Sequence, residues 1–441
     1  MRLSHRARSH LAGLVFGSLP TLGALGGAAW LMHAGVVDAP ELLSWGAVGS
    51  FVREHPVTAI ALLQLLYMAA QSLCYAFYRA APRGPDESLP TLTVIIPAFN
   101  EGPMVRRSID SVVRADYPRE KLEILVVDDG SRDDTYFHME RARRLQPDVV
   151  RLIHFPGNRG KRAGLVAGFR AARGEVVITI DSDSEIDPGT LREMVAPFQR
   201  SERVGAVAGR VVVLNNNTFI GSMLDVSYEL AFDFGRASQS AYGAVSCCPG
   251  ALSAFRRELV LPVLNEWVNQ RFWGRPVTHG EDQALTNLVL RQGFETVYQR
   301  HAVIRTLVPE RYQQLCRMFL RWERSFIVEG FTFARFMFTR YREKNRVLPA
   351  AMFLLGNLRL LMLYLGLLVL PIKLAQHPER APDYLVALLV GAGITALYHL
   401  RNHRGPRFVF GVLYALYSFL LLQWILPWAF VTVRDERWGT R

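Results

Sequence analysis

The charged residues of the chain are distributed unevenly, and two long stretches near its start contain none. Residues 11–37 and 57–78 carry no Asp, Glu, Lys or Arg, and each is longer than the roughly 20 residues that cross a bilayer as a helix. Three further apolar stretches follow near the other end, at residues 348–372, 384–400 and 408–433. The pattern predicts a transmembrane hairpin within residues 1–83 and a transmembrane bundle within residues 347–433.

Two residues in the later stretches leave alternatives open. Arg359 lies inside the stretch 348–372, where it either faces the bundle interior or pairs locally. Pro427 lies inside the stretch 408–433 and can break a helix, so this stretch is either a full span or a split, re-entrant segment. Arginines that flank the stretches indicate the cytoplasmic side. We therefore expect a multi-pass protein of the cell membrane whose central residues, 84–310, lie in the cytoplasm.

The central region alternates short apolar runs with polar stretches of helical pattern. Residues 92–97, 122–127 and 176–180 are rich in Val, Ile and Leu, as is typical of strands buried in a parallel sheet with crossover helices. The predicted fold class of this domain is therefore α/β with a mostly parallel sheet. Ligands of such sheets bind beyond the carboxyl ends of the strands.

Acidic and polar residues follow each of the three predicted strands. They are Asn100 and Glu101 after the first strand, Asp129 after the second, and Asp181, Ser182 and Asp183 after the third. Two aspartates spaced as DxD supply the carboxylate oxygens that Mg²⁺ or Mn²⁺ prefers, and such ions commonly bridge to substrate phosphates. The alternative is an ordinary turn, since turns are rich in aspartate.

A basic, glycine-rich segment lies at residues 157–164. Its backbone amides and Lys161 could approach an anionic group, although Lys161 could equally be a solvated loop lysine. The segment is not a P-loop because it lacks the GxxxxGK[ST] pattern, and no GxGxxG follows the first strand.

Composition and charge narrow the class of protein. The chain has 441 residues, of which 50% are hydrophobic and 20% charged, and a net charge of +12, which excludes a disordered chain. Residues 311–346 contain nine Lys and Arg interleaved with aromatic side chains. This segment is predicted to form amphipathic interfacial helices on an anionic lipid surface, or helices packed against the domain. Because no nucleic-acid-binding motif occurs, the expected partner is the lipid bilayer and not a nucleic acid.

Six motifs occur in the order seen in one enzyme family. They are IIPAFNE, VVDDGSRDDT, GNRGKRAGLVAGF, DSDS, GED and RW. The chain thereby resembles the family-2 glycosyltransferases, and within them the bacterial hyaluronan synthases and the related chitooligosaccharide synthases. The resemblance implies a nucleotide-sugar-binding GT-A domain that polymerises UDP-sugars, by an inverting and processive reaction, onto a growing polysaccharide acceptor. A divalent cation, Mg²⁺ or Mn²⁺, is the implied cofactor.

The resemblance leaves the product open. The TNL sequence at residues 286–288 and the terminal WGTR favour the hyaluronan type, which uses UDP-GlcNAc and UDP-GlcA. The alternatives are a chitooligosaccharide or poly-GlcNAc type that uses UDP-GlcNAc only, and a transferase that glycosylates a lipid phosphate. A non-catalytic transporter or receptor is disfavoured because the acidic motif residues are intact.

The resemblance also implies roles for individual residues. The implied nucleotide-sugar pocket consists of Ala98, Asn100, Glu101, Asp129, Lys161, Asp181, Ser182, Arg321 and Trp322. Asp183 is the expected direct metal ligand, together with Asp181. Asp282 is the expected general base, with its neighbour Glu281 as the second candidate. The acceptor side and the gating tail at residues 434–441 are assigned Cys248, Trp322, Trp438 and Arg441.

Two observations qualify these roles. Asp282 could instead be the N-cap of the helix that follows it. The family pattern QxxRW is also altered, because Met318 stands where the family has glutamine. The substitution removes an amide donor and acceptor from the implied acceptor site, and so leaves the identity of the polymer open.

Overall fold

A computed structural model describes residues 50, 56–402 and 405–435. The described residues divide into two units, one within the ranges Met1–Tyr78 and Val347–Leu416, the other within Arg79–Arg346 and Tyr417–Arg441. The predicted span at residues 11–37 and the tail residues Trp438 and Arg441 lie outside the described residues.

The unit centred on Arg79–Arg346 contains an eight-stranded sheet and a separate two-stranded hairpin. The strands are β1 (Leu92–Ala98), β2 (Leu122–Asp128), β3 (Val150–His154), β4 (Val176–Ile180), β5 (Ser184–Ile186), β6 (Val204–Val213), β7 (Leu252–Arg256), β8 (Arg271–Phe272), β9 (Arg275–Pro276) and β10 (Glu295–Thr306). The order in the large sheet is β3-β2-β1-β4-β7-β6-β10-β5.

The three predicted strands lie side by side in this sheet. They correspond to β1, β2 and β4, and β1 pairs in parallel with the other two. All seven residues of β1 are buried, as expected of a central strand with both faces covered. The strand β7 runs antiparallel to β4 and β6, so the sheet is mixed beyond β4. The predicted α/β class is confirmed, and the carboxyl ends of β1, β2 and β4 share one edge.

Helices occur in both units, and several of them connect the strands of the sheet. They are α1 (Pro56–Phe77), α2 (Met104–Val113), α3 (Thr135–Leu145), α4 (Lys161–Ala171), α5 (Thr190–Arg200), α6 (Phe219–Tyr228), α7 (Arg236–Ser240), α8 (Arg257–Val260), α9 (Leu264–Val268), α10 (Glu281–Arg291), α11 (Tyr312–Phe336), α12 (Val347–Gln376), α13 (Ala381–Asn402), α14 (Val409–Leu421) and α15 (Ile425–Val431). A π-helical segment, Glu229–Gly235, joins α6 to α7.

The basic segment 311–346 contains one helix, where more than one was expected. The helix α11 ends at Phe336, and turns follow as far as residue 346. Arg342 lies in this irregular segment, where its guanidinium is buried and donates to the carbonyls of Tyr242 and Gly243. These long-range bonds hold the segment in an irregular conformation that satisfies the carbonyls of a distant loop.

The four predicted apolar stretches that fall within the described residues form helices close to their predicted bounds. Among the described residues, α12 alone is a single helix long and apolar enough to cross a membrane, and a bent helix pair would make a second span. Arg359 of α12 donates to Gln64 of α1 at 2.9 Å and stacks over Tyr67. Arg359 therefore pairs with a neighbouring helix.

The last apolar stretch is broken. Pro406–Leu421 and Ile425–Val431 are bent by 46° relative to each other, which agrees with the predicted split alternative. The break does not coincide with Pro427, which is the third residue of α15. Proline is tolerated in the first turn of a helix because the amide at this position has no partner within the helix.

Candidate active site

The ends of β1 and β2 are joined by short hydrogen bonds. Asn100 adopts a left-handed conformation with φ 55°. Its amide N–H donates to Ser131 Oγ at 3.0 Å, and its side-chain oxygen accepts from the Arg132 amide at 2.8 Å. The Glu101 amide donates to Thr135 Oγ1 at 2.8 Å. Asn100 and Glu101 thus stabilise the loop after β1, and a small polar side chain at position 100 tolerates the positive φ.

Asp129 is bound by the glycine-rich basic segment. Its carboxylate accepts from the amides of Arg159 and Gly160 at 2.7 and 2.8 Å, and from Asn158 Nδ2 at 3.0 Å. Its own amide donates to the carbonyl of the buried Ala98 at 2.9 Å. The segment was predicted to offer amides to an anionic group, and in the structure Asp129 of the same chain is such a group.

The glycine of the DDG sequence is required by this packing. Gly130 has φ 72°, and a Cβ atom at this position would lie 2.4 Å from the Gly157 carbonyl carbon. The loop after β2 and the glycine-rich segment therefore contact each other through their backbones. Burial raises the pKa of Asp129, and the amide hydrogen bonds oppose this rise.

Lys161 connects two acidic motifs that are 100 residues apart in the sequence. Its Nζ lies 2.6 Å from Asp181 Oδ1, in the DxD sequence after β4, and 3.0 Å from Glu281 Oε1, in the GED sequence. The side chain of Lys161 is 24% exposed, which excludes the solvated-loop alternative. The predicted donor-side and base-side residues are thus brought together by one ammonium group.

The DxD residues differ in their surroundings. Ser182 is buried, whereas Asp181 and Asp183 are half-buried, and Asp183 Oδ1 accepts from Ser184 Oγ at 3.2 Å. In the part of the chain that the structure describes, no group of three or more His, Cys, Asp or Glu side chains could hold a metal ion.

The GED sequence begins α10. Gly280 is the N-cap, with φ 69°, and no side chain caps the helix, so the prediction that Asp282 could be the N-cap is wrong. Asp282 lies in the first turn, where the helix dipole favours a carboxylate. Its Oδ2 accepts from the Gly250 amide at 2.9 Å, and its Oδ1 accepts from the Gln283 amide at 2.8 Å.

The two adjacent carboxyl groups have opposite electrostatic environments. Burial disfavours the charged form of Glu281, but the ion pair with Lys161 outweighs burial and lowers the pKa of Glu281. For Asp282, burial and then the negative charge of Glu281 raise the pKa above that of an ordinary aspartate. Pairs of acids whose environments separate their pKa values are typical of acid–base sites.

Cys247 is a site residue that the sequence did not reveal. Its Sγ lies 3.6 Å from Asp282 Oδ2, and burial followed by the charge of Asp282 raises the pKa of the thiol. The predicted acceptor-side residue Cys248 is fully buried, and its backbone amide donates to Thr286 Oγ1 at 3.0 Å. The structure therefore places the side chain of Cys247, and not that of Cys248, against the candidate base.

The RW sequence lies on α11 beside an aromatic cluster. The ring of Trp322 lies 5.5 Å from Phe319, 6.0 Å from Phe232 and 6.1 Å from Tyr228. The Tyr228 hydroxyl contacts Met318 Sδ at 3.7 Å, so the residue that departs from the family pattern is part of this cluster. The positive charge of Arg321 acts on Glu281 and favours its ionised form.

Taken together, the fold and the site define a class of enzyme. A mixed α/β sheet carries acidic residues at the ends of β1, β2 and β4, and a lysine joins the DxD carboxylate to a carboxylate pair at a helix start. These features are those of a GT-A glycosyltransferase. The sequence model of glycosyl transferase family 2 matches residues 93–262.

Relatives that match over most of their length confirm this class. The chain is 31% identical over 355 residues to an N-acetylglucosaminyltransferase of Azorhizobium caulinodans, covering 80% of this chain and 87% of the relative. It is 30% identical to an N-acetylglucosaminyltransferase of Mesorhizobium japonicum, covering 87% and 91% of the two chains. The chain belongs to glycosyl transferase family 2 and is a glycosyltransferase.

A solved structure shares the fold. A mannosyltransferase from Pyrobaculum calidifontis, solved in complex with GDP-Man and Mn²⁺, matches with a TM-score of 0.56 over 83% of this chain and 99% of its own. The sequence identity is 24%, so this likeness concerns the fold alone.

Proposed function

We propose that the chain transfers N-acetylglucosamine from UDP-GlcNAc to the end of a growing oligosaccharide of the chitooligosaccharide type. The observation that carries the proposal is the position of Lys161 between Asp181 and Glu281. This arrangement joins the carboxylate expected near the donor diphosphate to the carboxyl pair expected near the acceptor. A single compact site then serves both substrates.

The choice of sugar rests on the relatives. The two relatives described above are named N-acetylglucosaminyltransferases. Their name favours the alternative that uses UDP-GlcNAc alone. It disfavours the hyaluronan type, which the TNL and WGTR sequences favoured. UDP-GlcA is therefore not part of the proposal. Processive synthesis at a membrane, with the GT-A domain on the cytoplasmic side, is retained as part of it.

The DxD carboxylates fit a hard divalent cation. Asp181 and Asp183 offer oxygen donors, and diphosphate oxygens and water would complete the coordination of Mg²⁺ or Mn²⁺. When bound, such an ion supplies positive charge to the departing diphosphate. Lys161 and Arg321 add positive charge from the protein itself. This charge stabilises the negative charge that develops on UDP as the bond between the anomeric carbon and the diphosphate oxygen breaks.

Asp282 is proposed as the general base. Its raised pKa makes it a stronger base than an ordinary aspartate, and the Gly250 amide fixes its orientation. It would take the proton of the acceptor hydroxyl as that oxygen attacks the anomeric carbon, and UDP would leave with the electron pair of the broken C–O bond. One carboxylate is sufficient for this direct, inverting displacement, and Glu281 is assigned the role of holding Lys161.

The test uses purified full-length protein with Mg²⁺ or Mn²⁺. UDP-GlcNAc alone should give oligosaccharides that chitinase degrades, and addition of UDP-GlcA should leave the product unchanged. Product that forms only with both nucleotide sugars and is degraded by hyaluronidase would replace this proposal with the hyaluronan type. Turnover that requires added polyprenyl phosphate would replace it with transfer to a lipid carrier.

A further inference from the structure

The geometry points to the β8–β9 hairpin as a surface that docks on the anionic headgroups of a lipid bilayer. The hairpin comprises Arg271–Phe272 and Arg275–Pro276, joined by Trp273 and Gly274. This inference rests on the membrane location that is part of the proposed function. It concerns a segment outside the DxD, GED and RW sequences.

The turn of the hairpin contains an aromatic residue where backbone geometry disfavours one. Trp273 and Gly274 have φ values of 45° and 79°, the combination of a two-residue turn of type I′. The first position of such a turn favours asparagine or glycine, and a bulky residue there is sterically strained. The chain holds a tryptophan in this strained position, and the side chain is 56% exposed.

The exposed tryptophan belongs to an aromatic surface with positive charge around it. Trp273 stacks on Phe272 at 4.7 Å, and its ring lies 6.2 Å from that of the exposed Phe331. Arg271 and Arg275 flank the turn and are exposed, and Arg434 donates to the Trp273 carbonyl at 3.4 Å. Tryptophan is enriched at membrane–water interfaces, and arginines near the surface of an anionic bilayer are attracted to its headgroups.

The base of the hairpin packs against α11 and the apolar helix α15. Phe272 and Val277 belong to a buried apolar cluster with Ile327 and Val328 of α11 and Ala429 of α15. The helix α15 is half of the bent pair that is apolar enough to count as a broken span. On α15, Trp428, Phe430 and Val431 are exposed. The hairpin therefore packs against a helix that exposes apolar side chains, which favours a bilayer over a protein partner.

The hairpin can be tested in the full-length protein with brominated lipids, which quench tryptophan in contact with them. Protein is reconstituted in phosphatidylcholine discs with and without phosphatidylglycerol, the bromine lying near the headgroup end of the acyl chain. Because the chain has eight tryptophans, the emission of Trp273 is taken as the difference between the native protein and Trp273→Asn. Asparagine suits the turn, so this variant should fold at least as stably.

The matched control places a tryptophan on another exposed surface of the same unit. Phe137 lies on α3 and is 62% exposed, so Phe137→Trp in the Trp273→Asn background reports a site away from the hairpin. We expect quenching of Trp273 to be several-fold stronger than quenching of the control tryptophan. In discs that contain phosphatidylglycerol, quenching of Trp273 should be weaker in the double variant Arg271→Gln/Arg275→Gln than in the native protein. Equal, weak quenching at both sites would overturn the inference.

Flotation with vesicles separates this inference from the membrane location. If the native protein does not float, the proposed membrane location fails, and the docking inference fails with it. If the protein floats but Trp273 is quenched no more than the control, the membrane location stands and the inference about the hairpin alone is overturned.

Discussion

The ammonium of Lys161 lies 3.0 Å from the carboxylate of Glu281, although the two residues belong to different motifs. The same ammonium lies 2.6 Å from Asp181. Lys161 is the first residue of α4 and Glu281 the first of α10, so this contact also fixes the starts of two helices relative to each other. Three motifs that are separate in the sequence therefore act on one point of the structure.

Replacing Lys161 with methionine should lower the rate of GlcNAc transfer about 100-fold, because a positive charge beside the departing diphosphate is lost. Steady-state kinetics with UDP-GlcNAc measure the effect. The control is Arg159→Met, which removes an exposed charge from the same segment. It leaves in place the hydrogen bond from the backbone amide of residue 159 to Asp129. A comparable loss in the control would show that the segment, and not the Lys161 ammonium, is responsible.

Replacing Asp282 with asparagine should reduce turnover by about 10³-fold or more, because an amide cannot accept the proton of the acceptor hydroxyl. UDP binding, measured by calorimetry, should remain close to that of the native protein, since asparagine retains an acceptor oxygen for the Gly250 amide. The control is Glu266→Gln, which breaks an exposed pair with Arg291. Near-normal turnover of Asp282→Asn would refute the assignment of the base.

Replacing Glu281 with glutamine should move the acidic limb of the kcat profile to lower pH. The base is active when deprotonated, so activity is lost as pH falls through the pKa of Asp282. The negative charge of Glu281 raises the pKa of Asp282, and the positive charge of Lys161 lowers it. Replacing Glu281 with a neutral residue removes the first effect and leaves the second, so the pKa of Asp282 should fall. A pH–rate profile of variant and native protein measures the shift. An unchanged limb, or a shift to higher pH, would contradict the electrostatic coupling.

The local patterns were sufficient to predict the strands at the centre of the fold. Runs of Val, Ile and Leu predicted β1, β2 and β4 within one residue of their bounds, because a strand buried on both faces must be apolar along its whole length. The acidic residues that follow these strands lie at one edge of the sheet because neighbouring parallel strands end on the same side. These features depend on short segments of sequence.

Features that depend on distant partners could not be predicted in this way. The ion pairs of Lys161 and the hydrogen bonds from backbone amides to Asp129 join residues 20 to 120 positions apart in the sequence, and no local pattern specifies such partners. Which of Cys247 and Cys248 faces Asp282 depends on the exact path of a loop. The irregular segment after α11 is likewise held by long-range hydrogen bonds, from Arg342 to the carbonyls of residues 242 and 243.

Replacing Gly280 with alanine should destabilise the domain by about 1–3 kcal/mol. A Cβ atom here would lie 2.0 Å from Ser325 Oγ, and the backbone has φ 69°. The double variant Gly280→Ala/Ser325→Gly should recover part of the loss, since it relieves the clash but not the strain. Chemical denaturation of the purified protein gives the free energies of unfolding. Gly157→Ala, whose Cβ meets nothing within 4 Å, serves as the control. Equal stability of all three variants would be inconsistent with this packing.

Replacing Met318 with glutamine, the residue of the family pattern, should strengthen recognition of the acceptor. The sulfur of Met318 is a weak acceptor for the Tyr228 hydroxyl, at 3.7 Å. An amide oxygen accepts more strongly, and the amide nitrogen adds a donor beside Trp322. We expect the KM for a GlcNAc oligosaccharide to fall several-fold and the KM for UDP-GlcNAc to stay constant. Met318→Leu keeps the volume without the amide and should leave both values near those of the native enzyme. A change of equal size in both KM values would mean that position 318 affects the site as a whole, and would remove it from acceptor recognition.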